Sequence, residues 1–388
     1  MSVLAPSEAT AHTTPAAPPR PASFPSPGLL ALEGGSTFPG TIHGAVVPAE
    51  GELVFTTAAT GWGEILTDPS YAGQIVVLTH PMAGNYRIDR SELESDAVRA
   101  RALVVSRMVE PPPGPGMSLS ELLAEGGIPG IAGIDTRALT LQLRNGAGRR
   151  AVVVPGDPDA AEAVRAAAGS VAWDAVDHVT AVATREVYTL PPAGERRATA
   201  ALVDYGVKRS LLSALAQRGI EVTVLPPDAT ADDVTARHPD LVVLSPGPGD
   251  PARMTAQIAT VGRLAADAIA GGAPILGICL GHQLLALAAG AKTRRLAVGH
   301  HGGNHAVLEA ATGRVDIGAH NHEVAVVDGS ALAAAGYAVS HHDLNDGTVE
   351  GLAHAGGRIA SVQFHPEGAP GPIDATRVFD LAVDRALR

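Results

Sequence analysis

A single cysteine lies at the centre of the strongest chemical signal in the sequence. The segment Gly277-Ile-Cys279-Leu-Gly281 joins an apolar stretch to a helical pattern. Glycines two residues before and after the cysteine permit the sharp turn of a nucleophile elbow, with sulfur in place of oxygen. This turn is expected to hold Cys279 in a strained, exposed position at a helix N-terminus that favours the thiolate. We predict that Cys279 is a nucleophile and that the N–H of Leu280 donates to an oxyanion.

A histidine near the end of the chain supplies a proton-transfer partner. An apolar strand pattern ends in Phe364-His365-Pro366-Glu367, and residues two apart along extended chain face the same way. Taken alone, His365-Pro366-Glu367 is more typical of a turn at the surface, and a lone cysteine is more typical of a small buried apolar residue. Because both motifs lie at the ends of strands in one predicted domain, Cys279, His365 and Glu367 together predict a Cys-His-Glu triad. In it Glu367 orients His365 and stabilises the cationic imidazole.

Two other features carry possible binding chemistry. The glycines of Ser245-Pro-Gly247-Pro-Gly249-Asp250 allow backbone amides to approach a ligand closely, whereas no G-x-x-x-x-G-K-[ST] phosphate loop occurs in the chain. Histidines number fifteen, and ten of them lie between His282 and His365. No helical pattern carries an H-x-x-x-H pair and no second cysteine accompanies the histidines, so we predict no metal site.

The composition excludes several classes of protein. Hydrophobic residues make up 46% of the chain and charged residues 18%, which is enough for buried cores. The net charge of −12 argues against a nucleic-acid-binding protein, which needs a basic face. No apolar run reaches the ~18 residues of a membrane span. One cysteine permits no internal disulfide, and this favours a reducing, cytoplasmic compartment.

The pattern along the chain predicts two domains. Residues 1–27 are rich in alanine and proline and predict a disordered tail, residues 28–155 a smaller, mixed and β-rich domain, and residues 156–197 a connecting segment. In residues 198–388 strand patterns alternate with helical patterns. This alternation predicts an α/β fold with a doubly wound, mostly parallel sheet, whose reactive groups lie at the carboxyl ends of the strands.

Individual elements follow from periodicity, caps and turn residues. In the first half we predict strands at 52–57 and 74–79 and helices at 118–125 and 136–144, the second capped by Asp135. In the second half the predicted strands are 198–204, 221–225, 240–244 and 274–278, and the predicted helices are 208–218, 231–237, 255–270 and 281–289.

Gly277-x-Cys279-x-Gly281-x-Gln283, together with His365-Pro-Glu367, resembles the class I (triad) glutamine amidotransferases, whose domain has a flavodoxin-like sheet. Residues 60–71, 134–140, 245–251 and 299–305 narrow the resemblance to the small subunit of carbamoyl-phosphate synthase. Other triad amidotransferases lack the first domain. The resemblance spans nearly the whole chain after the tail.

The resemblance implies a role for each matching position. Cys279, His365 and Glu367 form the triad. The implied glutamine-contacting residues are Ser70, Gly247, Gly249, Leu280, Gln283, Asn321, Glu323 and Val324. The family usually has Asn-His-Gly-Phe where this chain has Asn321-His-Glu323-Val324, so an acidic side chain occupies a position that is normally glycine.

The implied activity is hydrolysis of glutamine through a γ-glutamyl thioester. Ammonia then passes to a large ATP-dependent subunit, which makes carbamoyl phosphate for pyrimidine and arginine biosynthesis. No cofactor is expected in this chain, since ATP and Mg²⁺ belong to the partner. The alternatives are an amidotransferase subunit of another synthase, such as the anthranilate type, and a regulatory subunit whose glutaminase has lapsed. A thiol hydrolase of the α/β-hydrolase type fits less well, because its acid precedes its histidine in the chain.

Overall fold

The computed structural model describes residues 26–146 and 148–388. The predicted disordered tail therefore lies outside the described residues, except that Ser26 and Pro27 begin the first strand. The strands of the first half are β1 (Ser26–Leu32), β2 (Thr37–Gly44), β3 (Ala49–Thr56), β4 (Gln74–Leu78), β5 (Met82–Ala83), β6 (Ala102–Val104), β7 (Arg107–Met108), β8 (Pro129–Ala132) and β9 (Arg150–Pro155). The helices in residues 26–187 are α1 (Trp62–Thr67), α2 (Leu119–Glu125), α3 (Thr136–Arg144), α4 (Ala160–Gly169) and α5 (Val179–Val182).

Seven of these strands close into a barrel in the order β1-β2-β8-β6-β4-β3-β9, and β5 pairs with β7 beside it. The side chains of β4 alternate between two apolar clusters: Ile75 and Val77 pack in one with Leu139 of α3, whereas Val76 packs in the other. Helix α3 has the predicted bounds, because the Asp135 carboxylate accepts the N–H of Ala138 at 2.8 Å and so caps its first turn.

The second half contributes the larger sheet. Its strands are β10 (Tyr188–Leu190), β11 (Ala198–Val203), β12 (Ile220–Leu225), β13 (Leu241–Leu244), β14 (Ile275–Ile278), β15 (Lys292–Glu309), β16 (Val315–Val327), β17 (Tyr337–Asp343), β18 (Val349–His354) and β19 (Ile359–Val362). Its helices are α6 (Arg209–Ala216), α7 (Ala231–Thr235), α8 (Thr255–Ile269), α9 (Leu280–Ala288), α10 (Ser330–Ala334) and α11 (Arg377–Ala386).

The ten strands form one sheet in the order β10-β12-β11-β13-β14-β19-β18-β16-β15-β17. The five strands that are adjacent in the order β12-β11-β13-β14-β19 pair in parallel, and the other pairs in this sheet are antiparallel. The predicted α/β class is confirmed, but the description "mostly parallel" applies only to these five adjacent strands. Strands β15 and β16, and likewise β17 and β18, are joined by short turns, which dictate antiparallel neighbours.

Apolar residues cover both faces of the parallel strands. On β11, Ala201 and Val203 belong to a cluster that includes residues of α8 and α9, whereas Leu202 belongs to a second cluster with residues of α6 and α11. The segment 156–197, predicted as a connection, adds α4 against the barrel and the edge strand β10 to the sheet. In the part of the chain that the structure describes, no helix combines the length and apolar character that crossing a bilayer requires.

Candidate active site

Cys279 lies at the junction of β14 and α9, at the carboxyl end of a central strand. Its backbone has φ 51° and ψ −104°, a conformation that a non-glycine residue adopts only when its surroundings impose it. The neighbouring glycines are required sterically. A Cβ at Gly281 would lie 2.3 Å from the carbonyl oxygen of Leu244, and one at Gly277 would lie 2.7 Å from a methyl group of Leu285. The local geometry is that of the strained elbow that the Gly-x-Cys-x-Gly spacing predicts.

The expectation that Cys279 is exposed is wrong, since the residue is 2% exposed. Strand β14 lies in the middle of the sheet, and Cys279 packs in a buried apolar cluster built from several other elements. The side chain borders a small pocket, where the Nε2 of Gln363 donates to Sγ at 3.5 Å and Sγ lies 3.9 Å from the carbonyl oxygen of Asn321. Gln363 was not predicted as a site residue, although it precedes His365 by two positions on extended chain and so faces the same way.

His365 and Glu367 are in direct contact, with Nδ1 of the ring 2.8 Å from Oε1 of the carboxylate. Burial lowers the pKa of His365, but the charge of Glu367 and the proximity of Cys279 outweigh it and raise the pKa to about 10. Nε2 of the ring is buried with no hydrogen-bond partner among the described residues. Burial opposes ionisation of Glu367, yet the cationic neighbours Lys208 and His365 hold its pKa at about 2. At neutral pH the pair is therefore an imidazolium and a carboxylate.

Lys208 is a site residue that the sequence did not single out. Its Nζ lies 3.1 Å from Oε1 of Glu367, and the two side chains are 2% and 1% exposed. The ammonium also donates to the carbonyl oxygen of Ala369. Burial lowers the pKa of Lys208, but the carboxylates of Glu367, Glu94 and Asp68 outweigh that effect and raise it. Lys208 thus holds the orienting carboxylate in its ionised form.

The pocket beside the sulfur brings together most of the residues named from the resemblance. It is lined by Cys279 with Ser70, Gly247, Gly249, Gln283, Asn321, Glu323 and Val324. Leu280 does not line it, but its backbone N–H is the first of helix α9 and so has no intrahelical partner. The hydroxyl of Ser70 is buried with no hydrogen-bond partner among the described residues, and its backbone N–H donates to Asp68 at 2.8 Å.

The loop after β13 approaches the pocket through its backbone. A Cβ at Gly247 would lie 2.1 Å from the carbonyl oxygen of Tyr205, so no larger residue fits without moving the loop. Gly249 has φ 110°, which favours glycine. The side chain of Gln283 is already occupied: its Nε2 donates to the carbonyl oxygen of Val324 at 2.7 Å and to Oε1 of Gln363 at 3.0 Å. In this geometry Gln283 braces the pocket wall.

Asn321 connects the two halves of the chain. Its Nδ2 donates to Oδ2 of Asp68 at 3.0 Å, and its Oδ1 lies 2.9 Å from Nδ1 of His301. Asp68, which also accepts the N–H of Ser70, belongs to the barrel half. The pocket is therefore built from both halves, a feature that no single motif in the sequence indicates.

The carboxylate of Glu323 is held in a network of charges. Its Oε1 lies 2.7 Å from Nε2 of His301, and its Oε2 pairs with Arg149 of the barrel half. Arg295 lies 3.9 Å away, and both arginines also pair with Glu52. Burial raises the pKa of Glu323, but the neighbouring histidine and arginines outweigh it and lower the pKa to about 2. The acidic residue that replaces the family's glycine is thus a link between the halves.

Replacing Glu323 by glutamine is expected to lower the free energy of unfolding by about 1–3 kcal/mol, because the neutral amide loses its charged hydrogen bonds to buried partners. Denaturant titration of the purified chain measures the change. The matched control is Glu186→Gln, an exposed glutamate for which we expect a change within about 0.5 kcal/mol. Equal stability of the two variants would contradict the role of the network.

The same variant has an expected pH dependence. A carboxyl group whose pKa is lowered on folding contributes stability above its ordinary pKa of 4.5, and this contribution is lost as pH falls toward about 2. The difference in unfolding free energy between the wild type and Glu323→Gln should therefore be constant above pH 4.5 and shrink below it. A difference that grows on acidification has the wrong sign for this carboxylate.

The fold and the sulfur-centred pocket of the second half define a class of protein, and residues 201–384 match the family model described as glutamine amidotransferase class-I. Residues 30–153 match the model described as carbamoyl-phosphate synthase small chain, CPSase domain. The chain belongs to the carbamoyl phosphate synthase small chain family, and the resemblance drawn from the sequence is confirmed.

Curated relatives align over most of the chain. The carbamoyl phosphate synthase small chain of Archaeoglobus fulgidus is 43% identical over 357 residues, which cover 92% of this chain and 97% of the relative. The protein of the same name from Bacillus caldolyticus is 43% identical over 353 residues, covering 90% and 94%. The carbamoyl phosphate synthase pyrimidine-specific small chain of Halalkalibacterium halodurans is 42% identical over 353 residues, covering 90% and 94%.

Proposed function

We propose that this chain is the glutamine-hydrolysing subunit of a carbamoyl-phosphate synthase and that it delivers ammonia to a large ATP-dependent subunit. The observation that carries the proposal is the strained Cys279 at the wall of a pocket, beside a charged His365–Glu367 pair. Membership of the small chain family supports the proposal. The parallel order β12-β11-β13-β14-β19 supports a doubly wound, flavodoxin-like core for this subunit.

In the proposed mechanism the Cys279 thiolate attacks the side-chain carboxamide of glutamine. The N–H of Leu280 and the backbone of the Gly247–Gly249 loop stabilise the tetrahedral oxyanion. His365, as imidazolium, protonates the departing ammonia and leaves a γ-glutamyl thioester. The neutral ring then takes a proton from water, and the resulting hydroxide releases glutamate and regenerates the thiolate.

The remaining residues named from the resemblance have binding roles in this proposal. The free hydroxyl of Ser70 offers a hydrogen bond to the substrate, and the carbonyl and amide groups of Asn321 and Val324 lie on the opposite wall. Glutamine has both an ammonium and a carboxylate to recognise, and a pocket lined by backbone donors and acceptors suits both. Gln283 and Glu323 support the wall through the contacts described above.

A partner follows from the chemistry of the product. Free ammonia in neutral water is mostly ammonium, which is not a nucleophile, so a glutaminase that feeds a synthesis must pass ammonia directly to the next site. The proposed partner is the large subunit, where ATP and Mg²⁺ act, and the complex is proposed to work in the cytoplasm. The family assignment does not favour an anthranilate-type synthase or a lapsed regulatory subunit.

The proposal is tested by mixing the purified chain with the large subunit of carbamoyl-phosphate synthase from the same organism. We expect the two chains to co-elute, glutamine hydrolysis to rise on mixing, and carbamoyl phosphate to form from glutamine, bicarbonate and ATP. Glutamate and carbamoyl phosphate are measured in the same samples. A mixture that makes carbamoyl phosphate from ammonia but not from glutamine would identify a lapsed glutaminase and contradict the proposal.

A further inference from the structure

Three neighbouring strands carry a buried group of histidines and acids that the proposed mechanism does not use. His300 lies on β15, His320 and His322 lie on β16, and Glu350 lies on β18. Each is at most 7% exposed. One nitrogen from each ring and an oxygen of the carboxylate all lie within 4.8 Å of one another. The four side chains therefore converge on one point.

Three of the converging atoms lack partners. Nδ1 of His300, Nε2 of His322 and Oε1 of Glu350 are buried with no hydrogen-bond partner among the described residues. Each of the two nitrogens lies 3.8 Å from that carboxylate oxygen, too far for a hydrogen bond. Buried polar atoms without partners are rare in folded proteins, and a group of three that face one another points to a missing ligand.

In His300 and His322 the second nitrogen of the ring fixes which atom bears the proton, and His320 has the same kind of outer partner. In all three rings this second nitrogen faces an oxygen that only accepts hydrogen bonds. The pairs are Nε2 of His300 with Asp346 at 3.1 Å, Nδ1 of His320 with the carbonyl of Gly318 at 3.2 Å, and Nδ1 of His322 with the carbonyl of Val324 at 2.9 Å. In a neutral imidazole one nitrogen donates and the other has a lone pair. Nε2 of His320 lies 2.9 Å from Oε2 of Glu350. Lone pairs of His300 and His322 therefore face the space beside this carboxylate, and the outer partners of the rings are those typical of metal-bound histidines.

We propose that His300, His320, His322 and Glu350 bind one divalent transition-metal ion, with zinc as the best fit. Three imidazole nitrogens and one carboxylate oxygen form a tetrahedral donor set that zinc prefers, whereas calcium and magnesium take oxygen ligands. Zinc ligands at ~2.0–2.1 Å stand about 3.3 Å from one another. Nδ1 of His300 and Nε2 of His322 each lie 3.8 Å from the Glu350 oxygen, and all four ligand atoms lie within 4.8 Å of one another. A bound ion would therefore draw the most distant pairs together by up to about 1.5 Å.

A second, overlapping set of ligands fits less well. It consists of His300, His305, His320 and Asp343. Nδ1 of His305 makes a hydrogen bond of 2.9 Å to Asp343, and among the described residues only Nδ1 of His300 in this set is buried without a partner, against three such atoms in the first set. Asp343 instead lies beside the proposed site, 3.8 Å from Nδ1 of His300, where its charge helps to balance that of the cation.

The sequence predicts no metal site because no helical pattern carries an H-x-x-x-H pair. On a strand, however, residues two apart share a face, and His320-Asn321-His322-Glu323 places both histidines on one side of β16. Asn321 and Glu323 lie on the other side and line the proposed glutamine pocket, which His322 also borders. A bound ion would thus link β15, β16 and β18 on the side of β16 away from Asn321 and Glu323. Its role would be to stabilise the fold. This role is independent of glutamine hydrolysis.

The proposal is tested on the full chain after treatment with a chelator and removal of the chelator. Titration with Co²⁺ should give visible absorption bands of a tetrahedral site that saturate at one ion per chain, and Zn²⁺ should abolish them. Zn²⁺ should also raise the melting temperature in proportion to the logarithm of its concentration. Absence of a stoichiometric site for both ions in the wild type would overturn the proposal.

Variants identify the ligands. Glu350→Gln and His322→Gln should each weaken Co²⁺ and Zn²⁺ binding about 10-fold or more. The matched control is His342→Gln, a half-buried histidine outside the cluster, which should bind as the wild type does. Cys279→Ala should also retain the ion. If this variant loses the metal, or if both ligand variants keep wild-type affinity, the metal lies elsewhere and the proposal fails. Because the readout is metal binding, its failure is distinct from failure of the proposed glutaminase.

Discussion

Replacing Cys279 by serine is expected to reduce glutamine-dependent carbamoyl phosphate synthesis about 10³-fold or more, because a serine hydroxyl is a far weaker nucleophile than a thiolate. Ammonia-dependent synthesis by the complex of both subunits should stay at the wild-type rate. The two rates are measured side by side with glutamine or an ammonium salt as the nitrogen source. The variant is nearly isosteric, so the pocket wall around it should be preserved.

Chemical labelling supplies an independent control for this prediction. The chain contains one cysteine, so a glutamine-mimicking diazo-ketone can alkylate only one thiol. We expect one adduct per wild-type chain by mass spectrometry and none for Cys279→Ser. A serine variant that keeps a tenth of the glutamine-dependent rate would show that the sulfur is not the nucleophile. An unlabelled wild-type thiol would show that the sulfur is not activated.

Replacing Lys208 by methionine is expected to lower the free energy of unfolding by about 3–5 kcal/mol, since it leaves buried carboxylates without their cation. Lys208 and Glu367 are both almost fully buried, and Glu94 and Asp68 also act on the same ammonium. Denaturant titration measures the loss. The chain offers a matched control, because its only other lysine, Lys292, is exposed and Lys292→Met should change stability by less than about 0.5 kcal/mol.

The Lys208→Met variant should also change the pH dependence of glutamine hydrolysis. Lys208 is the strongest of the groups that lower the pKa of Glu367 to about 2, so its removal raises that pKa. Glu367 must be ionised to orient and charge His365. The acid limb of the rate profile should therefore move to higher pH in the variant, while Lys292→Met keeps the wild-type profile. An unchanged acid limb with full stability would rule out Lys208 as a positioning residue.

Local signals in the sequence predicted much of this fold. Helix α3 has the predicted bounds, and the predicted strand 198–204 and helix 255–270 each differ from the observed element by one residue. Caps, periodicity and glycine stops act within a few residues, which is why they can be read from sequence. The antiparallel strands β15 and β16 were missed, because their bulged register and interspersed glycines and histidines hide the alternation of a strand.

The candidate site likewise contains residues that local sequence signals predict and residues whose positions depend on contacts between distant parts of the chain. The elbow at Cys279 and the His365–Glu367 pair depend on neighbours in the chain, and the structure places both as the motifs predict. The contact between Asp68 and Asn321 joins residues 253 positions apart and depends on how the two halves pack. The burial of Cys279 was likewise not evident, because it results from residues that are distant in the chain and pack around it.

The barrel half has a direct influence on the thiol chemistry, although it contains none of the triad. Ser70 lines the pocket together with Cys279, and Asp68 holds Asn321 of the pocket wall through a hydrogen bond of 3.0 Å. A rotation of one half against the other therefore changes the width of the cleft without displacing a single reacting atom from its own strand. The packing of the barrel against the sheet thus sets the shape of the space that a substrate can occupy beside the thiol.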